Sequence, residues 1–414
     1  MNGLDEDRAI ADLRRFAEIG KFETGVNRPA LTDADFEARR WLSEQMLAAG
    51  LEAGIDGVGT VLGRAPRASA ALLVGSHSDT VPFGGWLDGA MGCIFGLAVA
   101  RARQATDPDA AVGVDVVSFS DEEGTFMACG GSRVFCGDIG IEDYKQARNV
   151  SGALAADRLE ALGLAGRPLA KLDSARHRAF LEAHIEQGPR LIEGGIDVGA
   201  VSGIVGLRRR RVTFRGRADH AGTTPMGMRQ DAGAAMHAFA VAAREALLAA
   251  GSVDSVCNIG VVAVRPGAAN VVPQEAEIVV EFRDLSRDVM ERMDAALRAL
   301  IVERDGAGGV RVASEMIGAI EPTHMDERLI AHIERAAAEE GARCLHMPSG
   351  AGHDAMIVGR RIPAAMLFAP SLGGRSHHIS EDTNEADIRR ALRVFARAAD
   401  AILHALGPDG HGPL

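Results

Sequence analysis

Apolar and polar positions alternate with two different periods along the first 200 residues. Residues 33–50 have apolar side chains at helical spacing, with Thr32 or Asp33 able to cap the helix and Gly50 able to end it. Residues 71–80 and 112–123 instead begin as short apolar runs and break into polar loops, as buried strands do. Strands that alternate with helices predict an α/β domain with a mostly parallel sheet.

The pattern changes near residue 203 and changes back near residue 326. The intervening segments read as strand, helix, two strands, helix and strand, over residues 203–222, 228–251, 256–285, 287–306 and 309–318. A strand and a long closing helix follow, at 361–370 and 384–406. We therefore expect an α/β domain, residues 1–207 and 326–414, interrupted by an inserted β-α-β-β-α-β domain of α+β type, residues 208–325.

Composition and charge narrow the class of protein. A chain of 414 residues is long enough for two domains, and 47% hydrophobic residues suit a globular fold. The net charge of -12 argues against nucleic acid as a partner, because phosphate binding relies on a positive field. The one basic cluster, residues 206–217, is predicted to be a strand with solvated or subunit-facing arginines.

Cysteine usage and hydropathy indicate the compartment. The five cysteines are odd in number and include no CxxC pair, so disulfides are not expected and a reducing cytoplasm fits. The amino-terminal residues lack an apolar signal core, and no uncharged apolar run reaches the length of a membrane span. We expect a cytoplasmic protein with no membrane partner.

Four polar clusters follow apolar, strand-like runs. They are "GSHSD" with "WLDG", then "SDEEG", "LEAHIEQG" and "GRSHHISED". Each alone could be a solvated loop or carry a structural histidine. Because ligands of open α/β sheets bind beyond the carboxyl ends of the strands, we expect the clusters to converge. The candidate site then contains His77, Asp79, Asp88, Glu122, Glu123, His184 and His377.

This mixture of imidazole and carboxylate groups suits Zn²⁺ or a similar divalent ion. Five ligands, one of them a bridging carboxylate, can hold two ions, each with a position open to water. A further carboxylate is needed to take the proton of that water and pass it to the leaving group. The cofactors expected are two divalent ions, with Zn²⁺ favoured and Mn²⁺, Co²⁺ or Ni²⁺ as alternatives.

Several motifs are similar to those of a known family. "GSHSDTVPFGGWLDGAMG", "DEEGTF", "AHIEQGP", "HAGTTPM", "ANVVP" and "SHHISED" resemble the hydantoinase/carbamoylase amidases, which are metal-dependent hydrolases of the aminoacylase/carboxypeptidase clan. The resemblance covers nearly the whole chain, with motifs in a specific order and spacing. It implies a binuclear hydrolase of linear ureido or N-carbamoyl compounds, whose catalytic domain is interrupted by a lid domain that dimerises.

The resemblance also assigns the metal ligands. Asp88 would be the bridging carboxylate, with His77 and His184 completing one metal site and Glu123 and His377 the other. The histidine of "HIEQGP" is typical of the carbamoylase branch, whereas peptidase relatives tend to have a carboxylate there.

Two carboxylates receive other roles, and one assignment stays open. Glu122 would be the general base, and Asp79 would hydrogen-bond the far nitrogen of His77 and fix its tautomer. Relatives often read Ser-His-x-Pro where this chain reads "SHHIS", so His377 is favoured as the ligand over His378. Asp121 has no assigned role beyond the loop.

The resemblance also implies substrate contacts. Gln187 would touch the ureido end, and His220 would reach in from the partner subunit to donate to the developing oxyanion. Asn270 and Arg283 would grip the substrate carboxylate, although Arg283 could instead pair with Asp284 or Glu281.

The glycine-rich loop "SGAGHDA" adds a backbone nest. Gly350, Ala351, Gly352 and His353 would bind the same carboxylate or the amide, and His353 and Asp354 would support catalysis or merely shape the loop.

We expect hydrolysis of an N-carbamoyl-L-amino acid to the amino acid, CO₂ and ammonia. Allantoate or ureidoglycolate would be cleaved by the same machinery and form the nearest alternative. A dipeptidase or N-acyl amino acid hydrolase is more distant, because the His184 motif counts against it. A non-catalytic metal-dependent binding protein would not need Glu122.

Overall fold

A computed structural model describes residues 1–407 and 412, so the last residues of the expected carboxyl-terminal segment lie outside the described part. The strands are β1 (Lys21–Phe22), β2 (Gly25–Val26), β3 (Glu52–Ile55), β4 (Val61–Arg64), β5 (Ala70–His77), β6 (Val112–Phe119), β7 (His177–Ile185), β8 (Val198–Ile204), β9 (Gly206–Arg215), β10 (Val256–Arg265), β11 (Glu275–Asp284), β12 (Arg311–Ile320), β13 (Thr323–His324), β14 (Cys344–Ser349) and β15 (Ala364–Ala369).

The helices complete the element order. They are α1 (Glu6–Ala17), α2 (Asp33–Ala48), α3 (Ala90–Thr106), α4 (Gly130–Phe135), α5 (Ile141–Lys145), α6 (Ala155–Ala161), α7 (Arg190–Gly194), α8 (Ala232–Ala250), α9 (Arg287–Arg304), α10 (Glu327–Glu339), α11 (Ala355–Val358) and α12 (Glu385–Leu406). Within the described residues, no helix combines the length and apolarity needed to cross a bilayer.

The chain divides into two compact units. The first comprises residues 1–203 with those from 324 onward, and the second comprises residues 204–323. The second unit therefore begins a few residues earlier than the pattern indicated, because β9 pairs with β11 from Gly206 onward.

The first unit contains one large mixed sheet. Its strand order is β13-β8-β15-β7-β5-β6-β4-β3, with β14 beside β8. The central strands β15, β7, β5 and β6 pair in parallel, as the sequence predicts for most of the sheet. Towards the edges, β8 pairs with β15, β4 with β6 and β3 with β4 in antiparallel fashion, which alternating helices and strands did not reveal.

The parallel centre is fully buried and ends in polar loops. Every residue of β5 and β6 is buried, and α3 and α12 pack against these strands. This two-sided burial explains why the strands read as continuous apolar runs. Strands β5, β6, β7 and β15 each end where one of the polar clusters begins, so the clusters meet at one edge of the sheet.

The second unit is an antiparallel sheet with two helices. Its strand order is β10-β11-β9-β12, and α8 and α9 pack on it. Alternate residues of β11 are buried: Ala276, Ile278, Val280 and Phe282 contribute to the core of this unit, and the residues between them are only half-buried. One face of the sheet is therefore left without a helix of its own unit.

Four successive arginines of the basic cluster, residues 208–211, lie on β9 and pair with acids. The partners, all within the second unit, are Glu321 for Arg208, Glu281 for Arg209, Asp294 for Arg210, and Glu277 and Glu315 for Arg211. Much of the positive charge of this strand is thus compensated locally.

Candidate active site

Two groups of potential metal ligands meet at Asp88. Its Oδ1 lies 3.0 Å from Nε2 of His184 and 3.5 Å from Nε2 of His77. Its Oδ2 lies 3.3 Å from Nε2 of His377, which is 3.4 Å from Oε2 of Glu123. The sets His77–Asp88–His184 and Asp88–Glu123–His377 each bring their ligand atoms within 4.8 Å of one another. Asp88 is the member they share.

Local geometry forces the two buried histidines towards Asp88. His77 is the last residue of β5, and His184 lies near the end of β7, with their ring centroids 5.8 Å apart. Asp88 is followed by Gly89, which has a φ of 66°. A Cβ at Gly89 would lie 2.5 Å from the His77 ring, so the turn that presents Asp88 requires glycine.

Main-chain carbonyl groups fix the orientation of both rings. Nδ1 of His77 is 3.0 Å from the carbonyl oxygen of Asp79, and Nδ1 of His184 is 2.9 Å from that of Ile185. Each Nδ1 therefore donates, which leaves the lone pair on Nε2 able to act as a ligand; Nε2 of His184 accepts from the N–H of Gly89 at 3.2 Å. The expected contact between Asp79 and His77 exists, but the main chain of Asp79 makes it rather than the carboxylate.

The carboxylate of Asp79 has a different task. It accepts hydrogen bonds from Nη2 of Arg39 at 3.3 Å and from the N–H of Glu123 at 3.2 Å. Arg39 is buried in α2 and also binds Asp35 at 2.9 Å. The pair of Arg39 and Asp35 was not predicted, although both residues fall on the buried stripe of α2 that Ala38 and Leu42 also occupy.

The three successive carboxylates of "SDEEG" point in different directions. Asp121 has a left-handed φ of 58°. Its carboxylate accepts from the N–H of Met127 at 2.7 Å and from the Tyr144 hydroxyl at 3.0 Å. Burial raises the pKa of Asp121 to about 8. Asp121 therefore holds the loop that carries its two neighbours.

Glu122 and Glu123 face the ligand cluster. Oε2 of Glu122 is 3.7 Å from Nε2 of His77. Burial raises the pKa of Glu122 well above its ordinary value, and burial together with the charge of Asp88 raises that of Glu123 to about 7. Oε1 of Glu123 is buried without a hydrogen-bond partner. Crowded carboxylates with an unsatisfied buried oxygen fit a site for divalent cations, which would offset their charge.

Gln187 also reaches the shared carboxylate. It has a left-handed φ of 58°, and its Nε2 donates to Oδ2 of Asp88 at 3.1 Å. Its side-chain oxygen is buried with no hydrogen-bond partner. The side chain therefore offers an acceptor beside the cluster.

The structure distinguishes between the two adjacent histidines. His377 has a φ of 54° and lies beside Asp88 and Glu123. His378 instead places Nδ1 2.7 Å from Oγ of Ser380. His377 is thus the histidine of this pair that joins the ligand set.

The glycine-rich loop contributes one ring to the cluster. His353 packs edge-on against His184, with ring centroids 4.4 Å apart, and its Nε2 is 3.0 Å from Oγ of Ser349. Burial lowers the pKa of His353 well below its ordinary value, so its ring is neutral. Oγ of Ser349 also bonds the main chain of Ala351, which shapes the turn formed by residues 350–352.

Asp354 lies beneath this loop. It is fully buried, and burial together with the charge of Glu182 raises its pKa to about 8. Glu182 accepts a hydrogen bond from the N–H of Ala355 at 3.0 Å, so it helps to hold the same segment. Both carboxylate oxygens of Asp354 are buried without a hydrogen-bond partner, so catalytic support and loop shaping both stay open for this residue.

Within the second unit, the structure brings His220 and Asn270 together. His220 forms an isolated bridge with Val271, and the N–H of Ala221 donates to the Asn270 carbonyl oxygen at 3.0 Å. Nδ1 of His220 accepts from the N–H of Gly222 at 3.0 Å. The hydrogen of the neutral ring must therefore be on Nε2, which makes that nitrogen a donor.

Arg283 lies at the other end of the same sheet. It pairs with Leu207 at the start of β9 and binds Glu281 with its Nε at 2.9 Å, which is the ion pair considered as an alternative. Arg283 is eight steps along β11 from Glu275, or about 27 Å at a rise of ~3.4 Å per residue. Asn270 lies in the segment that leads into Glu275, beyond the opposite end of β11, so the shared grip of Asn270 and Arg283 on one carboxylate stays a prediction.

Two further residues of the "SHHISED" motif reach the cluster and were not anticipated. Oγ of Ser376 lies 3.1 Å from Oδ2 of Asp88 and 2.8 Å from Oε2 of Glu381. The signal that could have identified Ser376 and Glu381 was their place in the same motif as His377.

Comparisons with known proteins agree with this architecture. Residues 73–401 match Peptidase family M20/M25/M40. Allantoate amidohydrolase of Bacillus subtilis is 34% identical over 92% of this chain and 93% of its own length. N-carbamoyl-L-amino-acid amidohydrolase of Paenarthrobacter aurescens is 31% identical over 96% and 97%, respectively.

A solved structure is similar over nearly the whole chain. An amidase of the hydantoinase/carbamoylase family from Burkholderia phymatum aligns with a TM-score of 0.92 and 44% identity, covering 98% of this chain and 99% of that one. The family expected from the motifs and the α/β class expected from the alternation of strands and helices are confirmed. The chain belongs to Peptidase family M20/M25/M40, among its hydantoinase/carbamoylase amidases, and is a hydrolase of carbon–nitrogen bonds.

Proposed function

We propose that this enzyme hydrolyses the linear C–N bond of an N-carbamoyl-L-amino acid. The observation that carries the proposal is the double ligand set joined through Asp88, with Glu122 beside it, in a chain of this family. Water adds to the ureido carbonyl and the bond to the amino acid nitrogen breaks. The released carbamate decomposes to CO₂ and ammonia.

The family and the ligand groups indicate divalent metal. We propose two ions per subunit, Zn²⁺ with Mn²⁺, Co²⁺ or Ni²⁺ as alternatives. His77 and His184 would hold one and Glu123 and His377 the other, with Asp88 bridging. When bound, such ions polarise a carbonyl and lower the pKa of water.

Residues of the chain would move the proton and orient the substrate. Glu122 takes a proton from the attacking water and returns it to the departing nitrogen. The unpaired side-chain oxygen of Gln187 accepts an N–H of the ureido end. A substrate lacking that N–H would leave this buried oxygen unsatisfied, which favours ureido compounds over simple N-acyl amino acids.

The second unit supplies donors, and its geometry supports a homodimer. Nε2–H of His220 would stabilise the oxyanion and Asn270 would help hold the substrate. Arg283 lies roughly 27 Å along β11 from Glu275, the end of the strand that the Asn270 segment leads into, which is far more than the length of a small ureido acid. If Arg283 grips the substrate carboxylate at one site, His220 and Asn270 at that site must come from a second copy. We therefore propose dimerisation through this inserted unit.

Allantoate is the second candidate substrate, because relatives of this chain with similar identities are named for both activities. Ureidoglycolate would use the same groups, and a dipeptide would not engage Gln187. The five free cysteines support a reducing compartment, for which we propose the cytoplasm.

A substrate panel tests the proposal. Purified enzyme loaded with Zn²⁺, and separately with Mn²⁺, is incubated with N-carbamoyl-L-amino acids, N-carbamoyl-β-alanine, allantoate, ureidoglycolate and a dipeptide, with ammonia release and free amine measured. We expect ammonia and amino acid in equal amounts from N-carbamoyl-L-amino acids. Cleavage of the dipeptide alone would contradict the proposal, and preference for allantoate would select the second candidate.

A further inference from the structure

The carboxylate of Glu381 grips the main chain of the Asp88 loop. Glu381 is buried, with 1% of its surface exposed. Its Oε1 accepts hydrogen bonds from the N–H groups of Leu87 at 3.1 Å and Asp88 at 3.0 Å. These are successive amides, so one carboxylate oxygen fixes the peptide plane on each side of Leu87.

The other oxygen of the same carboxylate holds the loop of His377. Oε2 of Glu381 is 2.8 Å from Oγ of Ser376, which lies 3.1 Å from Oδ2 of Asp88. Nε2 of Gln187 approaches the same hydroxyl at 3.3 Å. Glu381 thus joins the segment that carries Asp88 to the segment that carries His377, although almost 300 residues separate them in sequence.

The Asp88 loop is shaped to admit this carboxylate. A Cβ at Gly85 would lie 1.9 Å from the carboxyl carbon of Glu381. Glycine at this position is therefore required for the close approach of the two segments.

We propose that Glu381 is a positioning residue that sets the distance between Asp88 and His377, and hence the geometry of the ligand set containing Glu123. The inference rests on the proposed metal-dependent function. Glu381 belongs to neither group of candidate metal ligands. It acts through main-chain amides and Ser376, so its loss changes ligand positions rather than ligand number.

The test measures metal affinity directly. Zn²⁺ binding to metal-free full-length protein is titrated against a chromophoric chelator for wild type, Glu381→Ala and Glu381→Gln, beside kcat and KM. We expect Glu381→Ala to weaken Zn²⁺ binding roughly 10–100-fold, as loss of an outer hydrogen-bonding partner of ligands does. Glu381→Gln should restore most of the affinity, because its amide oxygen still accepts both N–H groups. Glu385→Ala alters a half-buried acid that pairs with Arg14 and Arg389 and lies outside the ligand groups; it is the matched control and should bind Zn²⁺ like wild type.

The outcomes separate this inference from the proposed function. The inference is wrong if Glu381→Ala folds and binds Zn²⁺ with wild-type affinity. It is also wrong if Glu381→Gln binds Zn²⁺ as weakly as Glu381→Ala does. If Glu381→Ala does not fold, Gly85→Ala is measured in its place and should weaken Zn²⁺ binding to a similar degree. Unchanged Zn²⁺ affinity in Gly85→Ala would then count against the inference. Failure of the wild type itself to bind divalent metal would instead contradict the proposed function.

Discussion

At the scale of single residues, neighbouring carboxylates are given different tasks by the backbone. The left-handed conformation of Asp121 turns its side chain into the loop, where main-chain amides and Tyr144 hold it. Glu122 and Glu123 then face the ligand cluster. Left-handed φ values recur at Gln187 and His377, so several residues of the site adopt a backbone conformation that non-glycine residues rarely populate.

Replacing Glu122 by Gln separates catalysis from metal binding. Because neither predicted ligand set contains Glu122, we expect Glu122→Gln to retain metal while kcat falls on the order of 10²–10⁴-fold through loss of the general base. Steady-state kinetics with metal content measured on the same sample provide the readout. Glu142→Gln alters an exposed acid and serves as the control. Unchanged turnover in Glu122→Gln would refute the base assignment.

At the scale of elements, a buried ion pair ties the central strands together. Asp115 of β6 receives hydrogen bonds from Arg176 at 2.7 Å and 2.9 Å and from the N–H of Ala65 at 2.8 Å. His177, at the start of β7, lies 3.2 Å away. Burial alone would raise the pKa of Asp115, but His177 and Arg176 outweigh it and lower the pKa below its ordinary value.

This pair makes stability depend on pH in the acid range. Because the folded-state pKa of Asp115 is below the unfolded value of about 3.9, the pair stabilises the fold above that pH. Its contribution is lost as pH falls through the folded-state pKa. Asp115→Asn leaves Arg176 buried without its charge partner and should cost about 3 kcal/mol near neutral pH.

Thermal unfolding followed by circular dichroism at neutral and acid pH measures the effect. The difference in Tm between wild type and Asp115→Asn should be largest at neutral pH and shrink in acid. Asp109→Asn removes an exposed carboxylate that pairs with Arg67 and should leave Tm nearly unchanged. A difference in Tm that does not vary with pH would contradict this account of Asp115.

At the scale of the whole molecule, the question is whether one active site is built from one chain or from two. A mixed dimer tests whether His220 acts in the site of its own chain or in that of a partner. One coexpressed subunit carries His220→Ala and the other carries Glu122→Gln. If His220 acts across a dimer, the mixed dimer has one site with both an intact Glu122 and an intact His220. Two-fold dimers form from identical surfaces, so random pairing makes about half of the dimers mixed. Because each mixed dimer has one intact site of its two, turnover should recover to about a quarter of the wild-type value.

The alternative gives a clear opposite result. If His220 serves the site of its own chain, both sites of the mixed dimer lack an essential group and turnover is not recovered. Separately purified variants assayed without mixing provide the baseline. A monomer in light scattering with full activity would also contradict catalysis by His220 across subunits.

The sequence by itself determined the family, the α/β class and the residues gathered around Asp88. The family was accessible from the resemblance of its motifs. The α/β class and the convergence of the polar clusters were accessible because hydropathy reveals where buried strands end, and parallel strands end at one edge of a sheet. His77, His184 and His377 each lie in a short motif, so their chemistry could be predicted without knowing the path of the chain.

Tertiary structure decided the contacts between residues distant in sequence. It showed that Arg39 holds Asp79, that Glu381 joins two loops, and that Arg283 and Glu275 lie at opposite ends of β11. It also revealed the antiparallel edges of the large sheet. Periodicity reports only which side of a local element is buried, whereas these features depend on which segments lie side by side. That pairing is set by packing across the whole chain.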